Sequence, residues 1–131
     1  MAAKIISPFL ERSIDLCDAD GNVVETVTYR LNVLRAFEAI TAAQAALNAA
    51  INEGDMETIG KCFTTLMETV FGREAAARII AFYGAETIED ANNLVWLVTP
   101  IMIDDIFPAL IKQREQILES RRALKRYGAD V

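Results

Sequence analysis

The chain contains no histidine, only two cysteines, and no long apolar run free of charge and proline. Each absence excludes a chemistry. Without histidine there is no imidazole base for a hydrolytic nucleophile, and Cys17 and Cys62 lack the CxxC spacing that would build a zinc site in its place. The two cysteines read as small buried or half-buried thiols of a reducing compartment. General acid/base work would fall to carboxylates. The adjacent pairs Glu89-Asp90 and Asp104-Asp105 point about 100° apart on a helix, so neither pair converges alone on one proton. They read as solvated or helix-capping groups. Gly72 and Gly84 lack the Lys and Ser/Thr neighbours of a phosphate-cradling loop. The reading is therefore of a chain with no catalytic residues, no cofactor and no metal.

Targeting signals are also missing. Pro8, Glu11, Arg12 and Asp15 interrupt any apolar leader, so a cytoplasmic protein is expected. Leu94 to Ile111 is largely apolar, but Asp104, Asp105, Pro100 and Pro108 fall inside it. Adjacent carboxylates in hydrocarbon are costly, and the stretch reads as core plus interface, with no membrane.

What is present is apolar surface and a divided charge. The chain has 131 residues, 53% of them hydrophobic, which is one domain by length and enough to bury roughly two thirds of the unfolded surface. A net charge of −6 argues against nucleic acid, which requires a basic footprint. Between positions 112 and 126, however, Lys112, Arg114, Arg121, Arg122, Lys125 and Arg126 outweigh Glu115 and Glu119, a local +4 that leaves −10 on the remainder. Such a basic face on an acidic body invites an acidic partner or self-association.

The spacing predicts a mainly α domain of about five helices with an N-terminal β-hairpin. Residues 1–12 read as an arm, with a short strand conceivable at Lys4 to Ile6. Residues 13–31 form the hairpin: Ser13 to Cys17 and Val23 to Leu31 flank Asp18-Ala19-Asp20-Gly21-Asn22, whose side chains and glycine suit a tight reversal. Calcium is disfavoured there, because the glycine is misplaced and no bidentate glutamate follows. Val23, Val27, Tyr29 and Leu31, with Glu25 among them, line the inward face.

Residues 32–127 read as helices. Asn32 is the expected N-cap of the first, with Val33, Phe37, Ile40, Leu47 and Ile51 as its stripe and Gly54 as its stop. Its alanines from Ala36 to Ala50 suit either a close helix contact or simple helix propensity. Asp55 opens a second helix with Met56, Ile59, Phe63, Leu66, Met67 and Val70 apolar. Arg73 to Tyr83 forms a third, and Thr87 with Asp90 resembles a capping box that opens a fourth, through Val98. Thr99-Pro100 suggests a fresh start. Pro108, lying deeper, leaves the Asp104 carbonyl without an amide and predicts a kink between 104 and 108. The last helix runs to about Tyr127, with Gly128 as its stop. Leu94 to Val98 is apolar all round and must be covered by core or partner. The interface candidates are Trp96, Phe107, Leu110, Ile111, Ile117, Leu118, Arg121 and Leu124.

The order of β segment, alanine-rich helix, a helix ending in Val70-Phe71-Gly72-Arg73-Glu74-Ala75-Ala76, a short Ile/Phe/Tyr-bearing helix and an acid-capped helix resembles the tail assembly chaperones of long-tailed bacteriophages and prophages. The likeness covers roughly residues 14–120, and its core is the Phe-Gly-x-x-Ala-Ala-x-x-Ile stretch from Phe71 to Ile79. The resemblance implies a small non-enzymatic cytoplasmic protein without a cofactor. It would bind the tape measure protein, help recruit tail tube protein, and be absent from the finished virion; homo-oligomers are expected. The readings that compete with it are a homo-oligomeric structural or adaptor protein of a phage or bacterium, and a regulatory accessory domain.

Overall fold

The computed structural model describes the backbone of residues 3–126 and the side chains through Arg122. Its elements run β1 (Phe9–Cys17), β2 (Val23–Asn32), α1 (Ala36–Glu53), α2 (Met56–Phe71), α3 (Arg73–Tyr83), α4 (Ile88–Ile101), a π-helical turn (Met102–Ile106) and α5 (Phe107–Arg126). Because α4, the π turn and α5 follow without a break, they form one rod. The described residues thus hold a mainly helical fold of four helical rods, rather than about five, behind a two-stranded antiparallel hairpin.

The hairpin starts earlier than its sequence suggests. β1 begins at Phe9, which pairs with Asn32, so residues 9–12 belong to the sheet and not to an arm. The alternation is masked by Arg12, which takes an inward position between Leu10 and Ile14. No strand forms at Lys4 to Ile6. The reversal is as expected: the Asp18 carboxylate accepts from the amides of Asp20 and Asn22, and Gly21 takes a φ of 83°. Val27, Tyr29 and Leu31 are buried, while Val23 near the tip is exposed.

α1 begins four residues after its expected cap. Asn32 ends β2, and its side chain accepts from the Leu34 amide in a turn, an alternative to helix capping open to any Asn. Three alanines, Ala36, Ala43 and Ala50, alternate with Ile40 and Leu47 along the buried seam, where their small size lets α2 approach. Phe37 and Ile51, expected inside, lie on the flanks and are exposed, as is Met56 in α2. α2 is capped by Asp55, which accepts from the Glu57 amide. Thr87 and Asp90 form the complete capping box of α4. Tyr29 from the hairpin meets Phe71 edge to face at 5.0 Å between centroids, joining sheet and helices in one core.

No new helix starts at Thr99-Pro100: Pro100 lies inside α4. The disruption expected at 104–108 takes the form of the π turn, in which the Phe107 amide reaches back to the Met102 carbonyl. Pro108 cannot donate to the Asp104 carbonyl, and its ring would clash with that group in a regular α-turn. Widening the preceding turn relieves the clash. The buried positions Leu94, Val98, Met102, Ile106 and Leu110 recur every four residues. On an ideal helix that spacing overshoots by about 40° per step, and the extra residue in the π turn offsets part of the drift, keeping one face inward.

Candidate functional site

The rod that packs one face into the core also carries several large apolar side chains that nothing covers, Trp96, Leu97, Ile103 and Ile111. In α4, Leu94 and Val98 point into the core, whereas Trp96 is 70% exposed and Leu97 58% exposed. Each flank of the helix borders a groove. On one side, a groove of about 590 Å³ lies between α1, α2 and α4, with Leu47, Ile51, Phe63, Ile88, Val95 and Trp96 among its walls. On the other, one of about 320 Å³ lies between the hairpin, α3 and α4, lined by Ile14, Phe82, Tyr83, Leu97 and Ile101 among others. Both flanks of α4 are thus grooved, with Trp96 at the edge of one groove and Leu97 at the edge of the other. Water-covered apolar patches of this kind mark interaction sites.

The expected interface residues divide. Trp96 is at the centre of this surface. Phe107 is half-buried and stacks edge to face on Phe37 at 5.9 Å, on a different part of the rod. Leu110 is fully buried within the chain, so it serves the core and no partner reaches it in this arrangement. Ile111 is 44% exposed. Ile117 is half-buried against the core, Leu118 is half-buried, and Arg121 is exposed. The Leu124 side chain lies outside the described residues, as do Tyr127 and Gly128. The structure therefore does not gather these positions into one patch: Trp96 is on α4, and the others follow α5.

Leu97, Ile51, Ile88, Phe82 and Tyr83 were not among the expected interface residues. A signal for Ile51 is present in the sequence. Ala36, Ala43 and Ala50 repeat every seven residues, so the alanines hold the seam and Ile51, one position on, is turned aside.

Several polar side chains at the surface are tied into the structure. The Asp55 carboxyl is held below the usual carboxylate range by the Thr58 hydroxyl and by backbone amides. Asp90 is held below it by the Glu86 amide and by Thr87. Arg78 pairs with Glu25, and Arg114 reaches Glu38 at 3.4 Å. Gln113 donates to the carbonyls of Ser7 and Phe9 at 2.7 and 2.8 Å, fastening the start of the chain to α5. At the edge of the core, Arg12, Tyr29 and Asp105 come together by the π turn: the Arg12 Nε lies 3.6 Å from the solvent-exposed Asp105 carboxylate. The buried Tyr29 hydroxyl has no hydrogen-bond partner. Among the described residues no three potential metal-binding side chains converge. Cys17, expected at least half-buried, is exposed at the end of β1, and Cys62 is half-buried.

Comparison with protein-family models, with curated proteins and with solved structures finds no match.

Proposed function

We propose that the protein is a helix-binding chaperone of the phage tail assembly kind. It covers an amphipathic segment of the tape measure protein, helps bring tail tube protein to it, and leaves before the tail is complete. The observation that carries this reading is the uncovered face of α4, where Trp96 and Leu97 stand between two apolar grooves. A client helix exposing an apolar stripe would be held in the helix-in-groove manner. The protein acts by binding alone, without catalysis or cofactor, in the host cytoplasm.

By length and composition alone, the rod Ile88–Arg122 could cross a membrane. We read its apolar face as meeting protein instead. Leu94, Val98, Met102, Ile106 and Leu110 pack into the core, and Asp105 is engaged with Arg12. Insertion would strip the hairpin and three helices of their shared core.

Trp96 is the chain's one tryptophan, so its fluorescence reports on this surface alone. Titration with tryptophan-free helical fragments of the tape measure protein should shift its emission to the blue as water is excluded from the indole. Unchanged emission with every fragment, together with no co-elution, would refute the reading.

A further inference from the structure

The larger groove differs from its surroundings in charge as well as in apolarity. Its walls come from the end of α1, the first half of α2 and most of α4. The chain segments that supply them, residues 47–63 and 88–99, hold five carboxylates (Glu53, Asp55, Glu57, Glu89 and Asp90) against one cation, Lys61. That lysine is already paired with Glu57 at 3.2 Å. Glu89 itself lines the groove. Asp55 and Asp90 are engaged in capping hydrogen bonds at the starts of α2 and α4, which hold both carboxyls below the usual carboxylate range.

Helix polarity adds to this field at one end. α1 ends beside the groove, at Glu53 and Gly54, and carries no basic residue in its last turn. The carbonyl end of a helix bears partial negative charge and favours a cation, so Glu53 sits where its own charge is unfavourable. A free carboxylate at a helix C-terminus, next to an open apolar groove, is an electrostatic mismatch that a basic ligand would relieve. The groove runs along α4 from Ile88 to Thr99, about three helical turns.

From this we infer that the groove between α1, α2 and α4 takes a basic amphipathic helix. The occupant has a three-turn apolar stripe lying against Val95, Trp96 and Ile51, with Lys or Arg flanking the stripe so as to reach Glu53 and Glu89. The inference rests on the reading of α4 as a helix-docking surface and adds the charge of the partner. The apolar stripe supplies affinity, and the carboxylate rim selects among helices and speeds encounter. The basic α5 face of a second copy is the other occupant that the same charge pattern would admit, and the test separates the two.

Two synthetic helices of about 20 residues, long enough to overlap the groove with a turn to spare at each end, serve as probes. Both carry the same leucine stripe and no tryptophan, one flanked by lysine and arginine and the other by glutamate. The whole protein is titrated with each while Trp96 emission is followed at low and at raised salt. The basic helix should shift the emission and bind at least about tenfold more tightly than the acidic one, with the difference shrinking as salt screens it. The double variant Glu53→Lys with Glu89→Gln, checked for an unchanged far-ultraviolet circular dichroism spectrum and a cooperative melt, should lose about tenfold for the basic helix and gain for the acidic one. Equal or tighter binding of the acidic helix would overturn the inference and leave the docking surface standing. Binding of neither helix would overturn both. Emission that shifts with protein concentration alone, accompanied by a dimer in sedimentation, would assign the groove to a second copy and overturn the inference as well.

Discussion

At the scale of single residues, the rod separates two kinds of apolar side chain only one or two positions apart. Leu94 and Val98 have almost no exposed surface, as has Leu110 further along, while Trp96 and Leu97 are mostly exposed. A buried leucine truncated to alanine loses transfer free energy and leaves a cavity, costing about 2–5 kcal/mol. An exposed apolar residue truncated in the same way usually changes stability by about 0.5 kcal/mol or less. Leu110→Ala should therefore lower the unfolding midpoint sharply in chemical denaturation. Trp96→Ser and Leu97→Ser should leave it nearly unchanged yet abolish capture of a tape measure fragment in a pull-down. A stable Leu110→Ala, or a Trp96→Ser variant that still captures the fragment, would reverse these assignments. The sequence could not divide them, because five consecutive apolar residues from Leu94 to Val98 carry no periodicity to say which side faces in. Packing against α2 and the hairpin makes that choice.

At the scale of elements, the ends of the helices were the most legible feature. Gly54 and Gly84 stop α1 and α3 in the left-handed region, and Asp55 and the Thr87–Asp90 box start α2 and α4. These are local signals, carried by a few side chains bonding to nearby backbone. The joins that the sequence misplaced depend on distant packing: β1 is extended by pairing with β2, and α4 continues through Pro100 as one face of the rod, Leu94, Val98, Met102, Ile106 and Leu110, packs into the core. The local signals make a direct prediction. In Thr87→Ala, the Asp90 amide, now bonded to the Thr87 hydroxyl at 3.1 Å, loses its acceptor, at a cost of about 1 kcal/mol. Thermal unfolding should detect this as a lower Tm, and Thr87→Ser should restore most of it. A Tm unchanged in Thr87→Ala would show that α4 is held by packing alone.

At the scale of the whole molecule, the hairpin and the rod meet at a polar cluster on the rim of the core, where only Tyr29 is buried and Arg12 and Asp105 reach solvent. Arg12 from β1, Tyr29 from β2 and Asp105 from the π turn come together there. The cluster links stability to pH. Burial, with the Asp105 charge adding to it and Arg12 opposing, pushes the Tyr29 hydroxyl up to about 12, whereas a tyrosine in the unfolded chain ionises near 10. The sign follows from the order of proton loss. Below about pH 10 both states hold the proton, and the contribution is intact. As pH rises from about 10 through 12, the unfolded chain gives up its proton first, so the folded state loses stability across that window. Tyr29→Phe removes the titrating group while keeping the ring that meets Phe71 edge to face at 5.0 Å. It also removes a buried hydroxyl that has no partner, so at neutral pH the substitution should be neutral or mildly stabilising. Urea unfolding of both proteins between pH 8 and about 12 should show curves that run together at the lower end and part above about pH 10, with the wild type falling faster. Curves that stay parallel throughout would mean that solvent reaches the hydroxyl in the folded protein, and that the junction between hairpin and rod is open where the structure closes it.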